Sequence, residues 1–261
     1  MDFAVLTIFP EMFTAFWGHG VIGRAIGEGK ITARAVNIRD FAPGRHRSTD
    51  DRPFGGGAGM VMTPGPLAAA IRSTKTLLPE AVTVLLSPQG RRLDQGLVQD
   101  LAGAGGVILV CGRYEGVDER ICRELVDLEL SIGDYVISGG EIAAMVVMDA
   151  IGRLVPGVLG HAASSQEESF SRGLLEYEQY SRPQCFEGET VPEVLVSGHH
   201  QAIAQWRLES ALMRTLVRRP DLIAAPELEA GQLAVLRRWH CRLSDIIERS
   251  QKDRAADAAQ H

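Results

Sequence analysis

The sequence predicts an α/β fold with a largely parallel sheet, followed by a smaller helical segment. Apolar runs alternate with helical patterns over the first 154 residues, which is the signature of strands joined by helical crossovers. The runs are nearly continuous in apolar character, as expected of strands buried on both faces. After Pro156-Gly157 the pattern turns polar, and from Ser197 onward it is helical.

Strands are expected at Phe3–Phe9, Ile31–Ile38, Val82–Leu86, Val107–Cys111 and Leu125–Leu130. Helices are expected at Pro10–Trp17, Pro66–Leu78, Leu93–Ala102, Val117–Arg123 and Glu141–Leu154. The polar stretch His161–Arg172 is too irregular for a core element and reads as a linker. Ser197 is positioned to cap a helix carrying Ile203, Trp206, Leu208, Leu212 and Leu216, ended near Arg219-Pro220. A second helix is expected from about Pro226 to Arg249. The resulting division is a domain at 1–160, a linker at 161–175, helices at 176–250, and a polar, Ala-rich tail at 251–261 expected to be disordered.

With 45% apolar and 23% charged residues, the chain has the composition of a globular protein. The first residues lack the basic start of a secretory signal and no apolar run reaches the roughly 20 residues of a membrane span, so a cytoplasmic protein without membrane contact is expected. Cys111, Cys122, Cys185 and Cys241 are too scattered for a zinc motif or a disulfide framework, which points to reduced thiols. The net charge of −6 is uneven: residues 1–196 hold 17 Lys+Arg against 25 Asp+Glu, a balance of −8, and residues 197–261 hold 10 against 8, or +2. Local basic patches govern phosphate binding, so RNA remains compatible with an acidic total; a solvated helix face is the simpler account of the charge count alone.

Three glycine-containing loops follow strands: Leu85-Leu86-Ser87-Pro88-Gln89-Gly90, Cys111-Gly112-Arg113-Tyr114-Glu115-Gly116, and Ser131 through Glu141. In parallel α/β sheets such loops gather at the carboxyl ends of the strands, where ligands bind. A single such loop is ordinarily just a turn, but three that converge suggest one pocket with exposed backbone amides and carbonyls. A further cluster, Arg52-Pro53-Phe54-Gly55-Gly56-Gly57-Ala58-Gly59-Met60, lacks the Lys-Ser/Thr of a phosphate loop and suits either a flexible loop or a surface against a flat base. No strand-end loop carries the dinucleotide fingerprint G-x-G-x-x-G.

Several blocks resemble the signatures of the bacterial tRNA (guanine-N1)-methyltransferases: Asp50 through Gly57, Ser87 through Gly90, Cys111 through Gly116, Ser131 through Glu141, and Pro156-Gly157-Val158-Leu159-Gly160. The resemblance runs in order from Phe9-Pro10-Glu11-Met12-Phe13 to Val194 through His200, nearly the whole chain. It implies a trefoil-knotted methyltransferase domain of the SPOUT class, a helical C-terminal tRNA-binding domain, and a homodimer with composite active sites. It also implies S-adenosylmethionine as methyl donor and the guanine immediately 3′ of the anticodon, position 37, as acceptor. The implied donor-binding residues are Leu85, Leu86, Pro88, Gly112, Glu115, Ser131, Ile132, Gly133, Asp134, Tyr135, Val136, Ile137, Gly139 and Gly140. The tRNA is expected at Asp50, Gly59, Arg218 and Arg219, the last two within a set that includes Arg207 and Arg214.

Methylating guanine N1 requires a base for its proton and a positive group near O6. The family pattern places Glu168 and Arg153 at those positions, whereas charge alone would read Arg153 as a partner of its helix C-terminus and Glu167 and Glu168 as solvated. The pattern usually reads Glu-Asp-Ser-Phe where this chain has Glu167-Glu168-Ser169-Phe170, and its prolines are replaced by Ala58 and Ala143. Magnesium dependence is a possibility the family raises, but no metal site is identifiable; His199-His200 point apart on a helix and suit helix entry or RNA contact better. The altered base position keeps open a non-catalytic RNA-binding protein on the same scaffold. An enzyme of another nucleotide is disfavoured by the missing fingerprints.

Overall fold

The computed structural model describes residues 1–160, 169–170, 173–223 and 228–258, with side chains as far as Glu248. The chain divides into two compact units, residues 1–165 and 166–261. The first is built on strands β1 (Asp2–Thr7), β2 (Thr32–Asn37), β5 (Val82–Arg92), β6 (Gly106–Cys111) and β7 (Leu128–Ser131). They form one sheet in the order β2-β1-β6-β5-β7, with every pairing parallel. A short antiparallel pair, β3 (Asp50–Asp51) and β4 (Val61–Met62), stands apart from it.

Alternation along the strands explains the two-layer core. Phe3, Val5, Val84, Leu86, Val107 and Leu109 enter one apolar cluster, whereas their neighbours Ala4, Leu6, Leu85, Ile108 and Val110 enter another. The first cluster is closed by helices α1 (Phe13–Gly18), α2 (Gly20–Gly27), α4 (Gln95–Ala102) and α6 (Gly140–Gly152), the second by α3 (Pro64–Leu77) and α5 (Glu119–Leu125). Helices on both faces are why the central strands β1, β5 and β6 carry long apolar runs. All five expected strands are present, and the mainly parallel α/β sheet agrees with the reading of the sequence.

Differences lie at the boundaries. The expected first helix is a 3-10 turn at Pro10–Met12 followed by α1; α2, which the sequence reading leaves unassigned, starts after extended His19 at left-handed Gly20. Strand β5 runs on through Arg92, with its pairing to β7 shifted between Leu86 and Arg91. Gly90 lies so close to β7 that a Cβ there would come within 2.6 Å of the Glu129 carbonyl oxygen. Past α6, Arg24 donates to the Val158 carbonyl at 2.9 Å and Lys30 to the Gly157 carbonyl at 2.6 Å, anchoring the turn around buried Val158.

The second unit holds a hairpin, β8 (Cys185–Phe186) with β9 (Glu189–Thr190), and helices α7 (Glu193–Val196), α8 (His200–Arg218), α9 (Pro220–Ile223) and α10 (Ala230–Ala258). Leu174, Ala211, Leu212 and Val235 form its core, with Tyr177, Leu208 and Trp239 packed around them. The cap of α8 is His199 rather than Ser197: the Nδ1 of His199 accepts from the Ala202 amide at 3.1 Å. Helix α10 continues to Ala258, so residues 251–258 are helical where a disordered tail was expected. Ala, Gln, Lys and Arg favour helix, and extending an existing helix avoids a new nucleation step. Among the described residues no helix is long and apolar enough to cross a membrane.

Thr215 is fully buried; its hydroxyl donates to the Ala211 carbonyl at 2.6 Å and accepts from the Leu175 amide at 2.9 Å, tying the irregular stretch at 173–180 to α8. Replacing Thr215 with Val leaves the Leu175 amide without its acceptor and should cost about 1–3 kcal/mol. The expected readout is a lower unfolding temperature together with faster hydrogen exchange at the Leu175 amide.

Candidate functional site

Because all five strands run the same way, the loops after β5, β6 and β7 emerge on one edge of the sheet. The β6 and β7 loops are joined directly. The Gly140 amide donates to the Gly112 carbonyl at 2.9 Å, and Arg113 and Gly139 form an antiparallel bridge. A Cβ at Gly140 would lie 2.7 Å from the Cys111 Cα, closer than backbone tolerates, so this approach requires glycine.

One residue further, Glu141 is completely buried. Its carboxylate accepts from the Thr7 hydroxyl at 2.7 Å, from Arg113 Nε at 2.9 Å, and faces Arg113 Nη2 at 2.9 Å. The Thr7 hydroxyl accepts in turn from the Phe9 amide at 2.9 Å. The Arg113 guanidinium also donates to the Ser138 carbonyl at 3.3 Å and lies 4.6 Å from the centre of the Phe9 ring. A buried ion is tolerated when it is this fully partnered, and a carboxylate in the first turn of α6 also meets the positive end of the helix. The adjacent Cys111 thiol is pushed well above its ordinary value by burial and then by Glu141, against a smaller opposing effect of Arg113. It stays protonated and acts as packing.

The three loops enclose a cavity of about 280 Å³. Leu85, Leu86 and Pro88 contribute from the β5 loop, Gly112 and Glu115 from the β6 loop, and Ser131, Ile132, Gly133, Tyr135, Val136, Ile137, Gly139 and Gly140 from the β7 loop. Asp134 belongs to the same loop but is exposed and is not a wall of the cavity. The β7 loop holds its own shape: the Ser131 hydroxyl donates to the Gly133 carbonyl and accepts from the Gly133 amide, and the Tyr135 amide donates to the Gly133 carbonyl. Its Val136 side chain is 86% bare, an unusual exposure for an apolar residue.

The glycine-rich cluster reaches this region too. The Glu115 amide donates to the Met60 carbonyl and the Met62 amide to the Gly116 carbonyl, both at 2.9 Å, while left-handed Gly59 lies against the Glu115 side chain. Asp50 sits next door in register, opposite Met62 in the β3–β4 pair. Arg153 does not join the cavity. It follows α6 at the C-terminal end, whereas the cavity surrounds the N-terminal end, about 20 Å away along a 13-residue helix. Glu167 and Glu168 lie outside the described residues.

In the second unit Arg218 and Arg214 line a polar cavity with Tyr177 and Tyr180. Arg207 lies 4.8 Å from the centre of the Tyr177 ring. Arg219 is engaged by Asp221, with Nε to Oδ1 at 2.8 Å, and that bond raises the arginine and lowers the aspartate. Among the described residues no group of three or more His, Cys, Asp or Glu side chains is arranged to hold a metal ion.

Sequence reasoning left Arg113 and Glu141 without a role, and overlooked Cys122 and Glu129 in the cavity wall. Glu129 had a visible signal, since it interrupts the apolar run Leu125–Leu130. The Arg113–Glu141 pair had none, because the partners are 28 positions apart.

A family model described as tRNA (Guanine-1)-methyltransferase TrmD matches residues 1–225. The chain is 53% identical over 247 residues to a tRNA (guanine-N(1)-)-methyltransferase of Desulfatibacillum aliphaticivorans, covering 95% of this chain and 94% of that protein. It is 52% identical over 250 residues to the enzyme of that name from Desulforudis audaxviator, covering 94% and 99%. Against that from Halorhodospira halophila the identity is 54% over 233 residues, covering 89% and 88%.

Glu141→Gln keeps an acceptor for Thr7 but leaves the Arg113 charge without its counter-ion. Removing one partner of a buried pair costs about 3–5 kcal/mol, and the partial exposure of Arg113 places the expected loss near the lower end. Denaturant unfolding of the variant should show it, while Thr7→Val should cost less because no charge is stranded.

Proposed function

The chain belongs to the tRNA (guanine-1)-methyltransferase family and is a tRNA (guanine-N1)-methyltransferase; we propose that it moves the methyl group of S-adenosylmethionine to guanine N1 at position 37 of tRNA, immediately 3′ of the anticodon. The observation that carries the donor site is the cavity at the carboxyl ends of β5, β6 and β7. Its residues fit a nucleoside with an amino-acid tail: apolar Leu85, Leu86, Ile132 and Ile137 offer a flat base a dry surface, and the close approach at Gly140 leaves backbone rather than side chain along the wall. Its volume is near the lower bound of about 300 Å³ for small-molecule pockets. When bound, the donor supplies a methyl group already activated on a sulfonium, so the protein needs no nucleophile of its own.

The protein's work is then to align the guanine and manage its N1 proton. In our reading Glu168 accepts that proton and Arg153 stabilises the negative charge developing on O6. Glutamate supplies a carboxylate for this role, as the aspartate of the family pattern does. The extra methylene must be absorbed by the linker at 161–175, since a misplacement of about 1 Å can cost on the order of 100-fold. The first unit is read as a trefoil-knotted SPOUT domain, a reading favoured by the return of the β7 loop onto Gly112 and Arg113. Residues 176–250 are read as the tRNA-binding domain, with Arg218 beside Arg214 as phosphate contacts and Asp50 and Gly59 close to the acceptor base.

The position of Arg153 bears on assembly. An arginine about 20 Å from the donor cavity of its own chain can serve that cavity's reaction only if it comes from a second copy. Two copies pairing antiparallel along α6 bring the end of one helix to the start of the other. Ile142 and Val146, one turn apart on α6 and 52% and 44% exposed, provide an apolar seam for such a homodimer.

Labelled S-adenosylmethionine incubated with unmodified tRNA should label N1 of one guanine, mapped by nuclease digestion; binding of tRNA without transfer would overturn the catalytic reading. Glu168→Gln should slow single-turnover transfer at least about 100-fold with donor affinity unchanged, and Glu168→Asp should retain activity. Loss on Glu167→Gln instead would move the base by one position.

Mixed dimers test the composite site. A Cβ at Gly112 would meet nothing closer than 3.4 Å, so the backbone admits the first carbon of a side chain there, and Gly112→Val should narrow the cavity. Combining Gly112→Val chains with Glu168→Gln chains should restore part of the activity, because one of the two shared sites then has no defect; verified heterodimers without recovery would place each site within one subunit.

A further inference from the structure

One wall of the cavity is made by β7 and α5, where Glu129, Cys122 and Glu119 line it together. Glu129 pairs in register with Leu85 and points away from the core that takes Leu128 and Leu130. It is half-buried, and among the described residues no hydrogen bond or ion pair reaches its carboxylate. The other acids in the cavity differ. Glu119 is paired with Arg123 at 3.2 Å and Glu115 is exposed beside Gly59. The lining's one arginine, Arg113, is engaged by Glu141. Nor does Cys122 relieve the charge: burial, Glu129 and Glu119 push its thiol up to about 11, so it is neutral.

A half-buried carboxylate facing a cavity without a donor is costly unless the ligand brings one. Among the groups of the donor, the sulfonium is positive but bonded only to carbon and cannot donate a hydrogen bond. The ribose hydroxyls can donate but carry no charge, whereas the ammonium of the methionine tail has three N–H donors and the positive charge that neutralises the carboxylate as it is desolvated. We propose that Glu129 binds the amino group of the donor's methionine tail, so that this residue selects nucleosides bearing an amino-acid tail over those without one. The inference rests on the donor-site reading above.

The test compares three ligands on the wild-type protein and on Glu129→Gln, a replacement of the same shape without charge. S-adenosylmethionine and S-adenosylhomocysteine, both with the amino group, are titrated by calorimetry; 5′-methylthioadenosine, which lacks the tail, is measured by competition. The first two should weaken together by about 10-fold or more, with methylthioadenosine unchanged and Glu129→Asp recovering part of the loss. Equal weakening of all three would assign Glu129 to the ribose or to the shape of the wall, weakening of S-adenosylmethionine alone would assign it to the sulfonium, and no change would remove it from recognition; each overturns the proposal. If the wild-type protein binds none of them, the donor-site reading itself fails.

Discussion

A carboxylate with no solvent contact, Glu141, holds together segments that the sheet alone would leave independent. It accepts a hydrogen bond from Thr7 at the end of β1 and pairs with Arg113 just past β6, while belonging itself to the first turn of α6. The desolvation penalty of a buried ion is several kcal/mol, so the arrangement is stable only when all its partners are present at once. That requirement makes the loop ends cooperative. Arg113 cannot turn toward Glu141 unless Gly139 and Gly140 come up against the β6 backbone, and those glycines cannot approach without the bare Cα positions they supply. The shape of the cavity follows from this one interaction more than from any contact within the cavity.

Below this knot of polar contacts, the sheet is governed by apolar burial. Neighbouring residues of each central strand go to opposite cores, and both cores are closed by helices. Such a platform is rigid because interiors pack at crystal-like density, which is what a reaction demanding alignment rather than covalent help requires. Function is thereby assigned to loops and rigidity to strands.

How much of this was legible in the sequence varies with the physical origin of each feature. The central strands were readable because burial on two faces leaves short apolar runs, bounded by turn residues and alternating with helical patterns, and the strand-end loops because glycines cluster after those runs. Asp134 was implied as donor-binding by the family resemblance, but side chains in a loop need not share a direction, and it is exposed outside the cavity wall. Helix α2 was missed because its glycines at 20, 23 and 27 weaken the helical pattern that packing against α1 and α6 restores. The cap of α8 went to His199 instead of Ser197, since a ring nitrogen can take the role of a hydroxyl when the helix begins two residues later. Long-range ion pairs leave no local trace, and the Arg113–Glu141 pair became visible only with the fold.

The deep burial of Cys111 has a practical consequence for thiol chemistry. Its neutral sulfur is sealed in the sheet, and Cys122 is held far from the thiolate form, so neither offers alkylating or oxidising reagents a ready nucleophile. Cys185 and Cys241 are exposed, and both belong to the second unit. Maleimide dyes or spin labels applied to the unaltered chain should therefore mark the second unit alone, providing reporters on that unit without an engineered cysteine.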